Sequence, residues 1–238
     1  SAEVGVEDLE GGSEGVGGEV VEGGVGGEDV GLAEDGGEVG GAVVVVGFEA
    51  VEGGELPPQE VAEAFETLHR AGKVHYFGVS NQNAAQMALL DRYMPGKLII
   101  NQLQFGLATA NMVAGGMEAN MTSAGAIDRD GSVLDYSRIN DMTIQAWSPF
   151  QMANWQGVFL GSEKFPELNA EIAKLCDKYG VSDTTIASSW ILRHPAHMQL
   201  ISGTASEKRL AEIAKGAEIL LSREEWYKLY LSAGHILP

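Results

Sequence analysis

The chain has 238 residues, 45% hydrophobic and 21% charged, with a formal net charge of −19 and a single cysteine. That length can bury one large core or two small ones, one cysteine excludes an intrachain disulfide framework, and no stretch approaches the ~20 apolar residues that span a bilayer. The charge is uneven: residues 1–68 hold 18 of the 34 acidic residues and no Lys or Arg, whereas residues 69–238 hold the other 16 against all 15 basic ones, a net of −1. With no basic stripe to neutralise phosphates, nucleic-acid binding is not expected. Neither a signal peptide nor a membrane segment is expected, so a cytoplasmic protein is. Cys176 falls on the apolar face of a helical stretch and is expected to be a buried structural thiol.

Residues 1–56 consist almost wholly of Gly, Glu, Val, Ala and Asp and hold 18 of the 32 glycines; no His, Lys, Arg, Tyr or Trp precedes His69. Three readings stay open. One is an acidic, Gly-rich disordered tail. A second is a repeat, which the irregular spacing of Glu-Gly-Gly and Val-Gly-Gly does not support. The third, which is favoured, is that these letters are placeholders, because Gly, Ala and Val are what truncated side chains look like. Within the stretch, Val43–Val46 is a continuous β-branched run, the pattern of a parallel strand buried on both faces.

From Pro57-Pro58 onward the chain alternates. A helix over 59–70 opens on proline and stops at Gly72. A strand over 74–79 follows and ends in Ser80-Asn81. Residues 83–93 read as a helix with Pro95-Gly96 beyond it, and 98–104 as a strand containing Asn101-Gln102. A helix over 132–140 precedes a strand over 142–147 that ends at Ser148-Pro149. Residues 165–179 form a helix stopped by Gly180, and Asp183 is expected to cap a second one over 184–193. A strand over 198–202, a helix over 206–215 capped by Ser206 and a last helix over 222–232 capped by Ser222 complete the order.

Strands of this length separated by helices mean parallel βαβ units. Alternation alone leaves a doubly wound sheet and a barrel open. Polar residues, however, sit at the ends of several strands: Ser80-Asn81, Asn101-Gln102, Trp147-Ser148 and Gly203-Thr204. A barrel collects its site from many strand ends, a doubly wound sheet from one switch point. The prediction is an α/β fold, a (β/α)8 TIM-type barrel, as one domain over 1–238. Because a full barrel runs ~250 residues or more, residues 1–56 would have to supply three strands and their helices in too little space. None of the five histidines is spaced for a metal with carboxylates or cysteines, and His194 and His197 read as surface residues around Pro195.

The stretches Gly-Lys-Val-His-Tyr-Phe-Gly-Val-Ser-Asn ending at Asn81, Asn101-Gln102, Ala-Trp-Ser-Pro ending at Pro149, and Gly-Thr-Ala-Ser-Glu-Lys-Arg ending at Arg209 together resemble the aldo-keto reductase superfamily, in particular its bacterial oxidoreductases. The resemblance runs in order through residues 57–238. It implies a barrel that binds NADP(H) without a Gly-rich dinucleotide loop, and a small-molecule carbonyl substrate reduced to an alcohol by a monomeric enzyme. It implies that Ser80, Asn81 and Gln102 hydrogen-bond the nicotinamide carboxamide and that Trp147 stacks on its ring. Ser148, Pro149, Phe150 and Gln151 would begin the loop over the pyrophosphate, which runs on to Gly161 as a lid. Gly203, Thr204, Ser206 and Arg209 would hold the adenosine 2′-phosphate, although many members carry Lys at the Gly203 position. The family's Asp, Tyr, Lys and His should all precede Gly72, the His near Gly47, yet no Tyr, Lys or His precedes His69. No catalytic residue is therefore assignable. A nucleotide-binding relative without catalysis, a redox sensor or partner subunit, is the alternative.

Overall fold

The computed structural model describes residues 58–128 and 131–237, with the backbone of Val20–Glu22 and Val43–Val46. Most of residues 1–56, including the position near Gly47, lies outside the described residues. Two compact units divide the chain, Ser1–Gln102 and Leu103–Pro238.

In the first unit four strands run parallel in chain order: β1 (Val20–Glu22), β2 (Val43–Val46), β3 (Tyr76–Ser80) and β4 (Leu98–Gln104). The valine run is thus a strand, as its pattern predicts, and β1 is an addition. Helix α1 (Pro58–Arg70) turns Val61, Ala62 and Phe65 inward, and Phe65 stacks on Phe77 of β3 at 4.5 Å. Gly72 follows α1 with φ +68, a conformation that costs glycine nothing. Strand β3 starts two residues later than expected. The carbonyl of Val74 accepts a hydrogen bond from His69 Nδ1 at 3.1 Å, so that residue is held by a side chain rather than by a neighbouring strand. Where β3 meets β4 the register shifts between Phe77 and Gly78. A Cβ on Gly78 would lie 2.8 Å from Ile100 Cβ, so glycine permits this close approach. Helix α2 (Ala84–Asp91) opens with a capping box: Asn83 accepts from Gln86 N while Gln86 Oε1 accepts from Asn83 N, satisfying two otherwise orphaned donors.

The second unit carries α3 (Asn111–Met117), α4 (Val133–Ile139), β5 (Thr143–Trp147), α5 (Pro166–Tyr179), α6 (Asp183–Leu192), β6 (Gln199–Leu200), α7 (Glu207–Lys215) and α8 (Arg223–Ser232). Helix α3, rich in Gly and Met, has no strong sequence signature and was not expected. The cap of α6 is Ser182, not Asp183: Ser182 Oγ accepts from Thr185 N at 3.3 Å, and the Asp183 carboxylate turns back to Thr184 N at 2.7 Å. Strand β6 pairs with β5 for only two residues, Gln145↔Gln199 and Ala146↔Leu200, one further bond running from Ile201 N to Ala146 O at 3.0 Å. Side-chain bonds from Ser202 and Thr204 then take over the backbone, which ends the strand early.

The core of this unit centres on Trp190 and Trp226, stacked at 4.8 Å and 7°. Each indole donates to the other's carbonyl, Trp190 Nε1 to Trp226 O at 3.1 Å and Trp226 Nε1 to Trp190 O at 2.9 Å. The reciprocal pair binds α6 to α8 and leaves neither buried donor unmet. His194 is no surface residue: it is half-buried, accepts from Ala196 N at 3.2 Å and lies 6.2 Å from the Trp226 ring. Burial, with a smaller push from Arg138, depresses its pKa to about 4. Cys176 is half-buried rather than buried; burial, then Asp183 and Asp177, push its thiol pKa up, away from reactivity. Glu225 completes the capping box of α8 with Ser222 and also accepts from Tyr179 Oη at 2.8 Å and from Lys178. Burial opposes its charge, but these donors outweigh burial and bring its pKa to about 2. Among the described residues no helix is long and apolar enough to cross a membrane.

Two expectations follow from this packing. Trp190→Phe removes one indole donor and part of a fully buried ring, lowering unfolding free energy by ~2–3 kcal/mol; urea denaturation measures it, and an unchanged midpoint would contradict the reciprocal bond. Because the folded pKa of Glu225 lies below its ordinary value, its contribution is complete above about pH 4.5 and is lost as pH falls towards 2. The stability gap between wild type and Glu225→Gln should therefore close over that window in acid titrations of thermal melts.

Candidate functional site

In the first unit the expected residues come together at the ends of β3 and β4. Ser80 stands opposite Gln102 in the parallel register. The Gln102 carbonyl accepts twice, from Ser80 Oγ at 3.3 Å and from Asn81 N at 2.9 Å. Ser80 and Gln102 are both buried, with 9% and 1% exposure, whereas Asn81 is exposed. Asn81 adopts φ +56, the left-handed conformation that asparagine tolerates better than most residues, and so turns the chain out of β3 toward α2. Behind this turn lies Asn101, whose Nδ2 donates to the Gln82 carbonyl at 2.9 Å. Asn101, which the sequence pairs only with Gln102 at the end of an apolar run, is fully buried, and an amide directly after Leu-Ile-Ile is the signal for it.

In the second unit Trp147 ends β5 half-buried. Ser148 has φ +47, and its carbonyl accepts from Gln151 N at 3.0 Å, making a turn of Ser148, Pro149, Phe150 and Gln151. The expected lid is an ordered hairpin. Phe159 N donates to Phe150 O at 3.0 Å, Met152 N to Gly157 O at 2.7 Å, and Gln151 bridges Val158. Its returning arm is fastened by Asn169, whose Nδ2 donates to the carbonyls of Phe159, Ser162 and Phe165 while its Oδ1 accepts from Gly161 N. Gly106 is the other support. A Cβ there would lie 2.1 Å from the Pro149 carbonyl oxygen, so only glycine lets the segment after β4 pass beneath this turn.

The remaining expected residues lead into α7. Thr204 Oγ1 accepts from Ser206 N at 3.3 Å, and Ser206 Oγ accepts from Arg209 N at 3.5 Å, so Ser206 is the cap that the sequence predicts. The Ile201–Ala146 bond keeps the start of this segment beside the end of β5. Gly203, Lys208 and Arg209 are exposed, and among the described residues Arg209 forms no ion pair. A free guanidinium and two hydroxyls at a helix start suit a phosphate-type anion, since unsatisfied N–H groups and the helix dipole favour negative charge there; Glu207 in the first turn works against it. A concavity of about 370 Å³ beside α1, lined by Glu66, Arg70, Tyr93 and Lys97 among others, contains none of the expected residues. The positions near Gly47 where the resemblance expects catalytic residues lie outside the described residues, and the sequence has no Tyr, Lys or His before His69.

A family profile described as "Aldo/keto reductase family" matches residues 50–230. The chain is 28% identical over 178 residues to a 6-dehydroglucose reductase of Agrobacterium fabrum, covering 75% of this chain and 53% of that protein. It is 28% identical over 185 residues to the oxidoreductase YdhF of Escherichia coli, covering 77% and 55%. Among solved structures, an aldo/keto reductase from Klebsiella pneumoniae in complex with NADP and acetate superposes with a TM-score of 0.60 at 22% identity, covering 79% of this chain and 56% of that one. The structural likeness gives the fold class, α/β of the (β/α)8 barrel type. The chain spans about half the length of the curated relatives it matches. The chain belongs to the aldo/keto reductase family.

Paired glycine substitutions test the support of the Ser148–Gln151 turn. Gly106→Ala must push against the Pro149 backbone and should cost ~1–3 kcal/mol. Gly116→Ala, in α3 with open space around it, should gain ~0.5–1 kcal/mol. Thermal melts of both variants give the comparison; equal effects would contradict the close approach.

Proposed function

We propose that this aldo/keto reductase chain serves the NADP(H)-dependent reduction of an aldehyde or ketone to an alcohol. The observation that carries the reading is the gathering of Ser80 Oγ and the Asn81 N–H onto the Gln102 carbonyl, which brings these three residues together where β3 adjoins β4. The reduced cofactor, when bound, supplies the hydride. In this reading Ser80, Asn81 and Gln102 hydrogen-bond the carboxamide and so fix which face of the ring is offered. Transfer depends on such orientation, because reacting atoms must approach to ~3–3.5 Å. Trp147 supplies an aromatic face for the ring, and the hairpin that begins at Ser148, Pro149, Phe150 and Gln151 covers the pyrophosphate and excludes water. Thr204, Ser206 and Arg209 take the 2′-phosphate, Arg209 by its planar fork, with Gly203 leaving the backbone open beside it.

Support comes from outside the site as well. The Klebsiella pneumoniae structure holds NADP, and the Agrobacterium fabrum relative is named a 6-dehydroglucose reductase. A second reading rests on one observation: no Tyr, Lys or His precedes His69. Carbonyl reduction needs a proton donor, and a Tyr lowered from ~10 by a neighbouring Lys is the family's. Without them the chain would bind the nucleotide and not turn it over, as a sensor or a partner subunit.

Arg209→Ala should weaken NADPH by about 10- to 100-fold, the loss of a charge-assisted contact, and NADH hardly at all. Equal losses for both nucleotides would remove Arg209 from the 2′-phosphate. Adding an aldehyde to the NADPH-loaded wild type separates the two readings: loss of reduced-nicotinamide absorbance supports the reductase, and binding without oxidation supports the sensor.

A further inference from the structure

Three residues separate the end of β3 from the first turn of α2: Asn81, Gln82 and Asn83. The first is tied through its N–H to the Gln102 carbonyl. The last is tied into α2 by the capping box, its Oδ1 accepting from Ala85 N and Gln86 N, each at 3.0 Å. Between them, the Gln82 carbonyl is taken by one side chain, Asn101 Nδ2 at 2.9 Å. Asn101 is 0% exposed and Gln82 2%, so water cannot replace that bond. The same Nδ2 lies 3.3 Å from Met87 Sδ on the buried face of α2. One amide thus spans from β4 to the turn and to the helix behind it.

An amide in the middle of a buried strand is a poor core residue. Asn101 follows Ile100 and stands opposite Val79, where an apolar side chain would avoid the desolvation that a buried amide costs. Its Nδ2 is met by Gln82 O while its Oδ1 finds no partner among the described residues, so what the amide supplies against that cost is the hold on the turn. The turn needs holding, because Asn81 sits at φ +56, a sparsely populated conformation that persists where its surroundings enforce it.

We infer that Asn101 is a positioning residue for the nicotinamide end of the cofactor: through the Gln82 carbonyl it fixes the turn from which Ser80 and Asn81 are presented. The inference rests on the assignment of Ser80, Asn81 and Gln102 to the carboxamide. Asn101 touches neither cofactor nor substrate in this account. It acts on the geometry of residues that do, and misplacement of such groups by a fraction of an ångström is enough to weaken their bonds.

Calorimetric titration of the full chain with two probes tests this. NADP⁺ carries the nicotinamide; 2′-phospho-ADP-ribose keeps the adenosine, both phosphates and the 2′-phosphate but lacks it. Asn101→Leu, close in shape and without a donor, should weaken NADP⁺ by about ten-fold, the order of one lost positioning bond, and leave 2′-phospho-ADP-ribose within about two-fold. A general structural role would weaken both alike, and either that result or an unchanged NADP⁺ affinity overturns the inference. Asn101→Ser, a smaller side chain whose hydroxyl falls short of the Gln82 carbonyl, reads the same ratio should the Leu variant fail to fold. Wild type that binds no NADP⁺ would overturn the carboxamide assignment and this inference with it. Wild type that binds, with a ratio unmoved in the variants, overturns the Asn101 role alone.

Discussion

A single carbonyl, that of Gln102, organises the strand-end turn of the first unit. Parallel pairing sets Ser80 opposite Gln102, and the pairing is close because Gly78 leaves no Cβ against Ile100. With the strands at that distance, the Ser80 hydroxyl and the Asn81 N–H both reach one oxygen. The turn beyond is then forced through a positive φ, which asparagine accommodates. Asn101 and the Asn83 capping box secure its far side. The backbone groups of the turn are met in this way, while two buried side-chain atoms beside it, Gln82 Nε2 and Asn101 Oδ1, find no hydrogen-bond partner among the described residues. Positions of the three polar residues thus follow from strand register rather than from loop chance.

The second unit solves a different problem, presenting a turn and a helix start on a rigid base. The base is the stacked and reciprocally hydrogen-bonded pair Trp190 and Trp226, which ties α6 to α8. Above it, Gly106 admits the Pro149 carbonyl at a distance no other residue would allow, and Asn169 holds four backbone groups of the hairpin's return. Helix α7 begins with its cap made by Ser206 and leaves Arg209 without a competing carboxylate among the described residues.

Much of this was legible before any coordinates, and what was not has a physical reason. Strands at 98–104 and 143–147 and the helices that follow Ser206 and Ser222 could be read because β-branched runs and capping residues act locally. Ser80, Asn81 and Gln102 stand out in the sequence because polar residues near strand ends contrast with apolar ones. Misreadings came where a side chain overrode local pattern. His69 takes the Val74 carbonyl and delays β3, Ser182 outcompetes Asp183 as a cap, and side-chain bonds cut β6 short. Gly106 and Asn169 were invisible because their roles depend on residues 43 and up to 10 positions away, and no local pattern carries such a contact. His194 looked like a surface residue beside Pro195 until Trp226 covered it.

Where the nicotinamide carboxamide binds decides whether Ser80, Asn81 and Gln102 form its site. A crystal structure of the chain grown with NADP⁺ measures this directly. The account predicts carboxamide oxygen and nitrogen within about 3.2 Å of side-chain atoms of Asn81 and Gln102, with the Ser80–Gln102 register unchanged. A bound nucleotide whose carboxamide meets neither Asn81 nor Gln102 would contradict it.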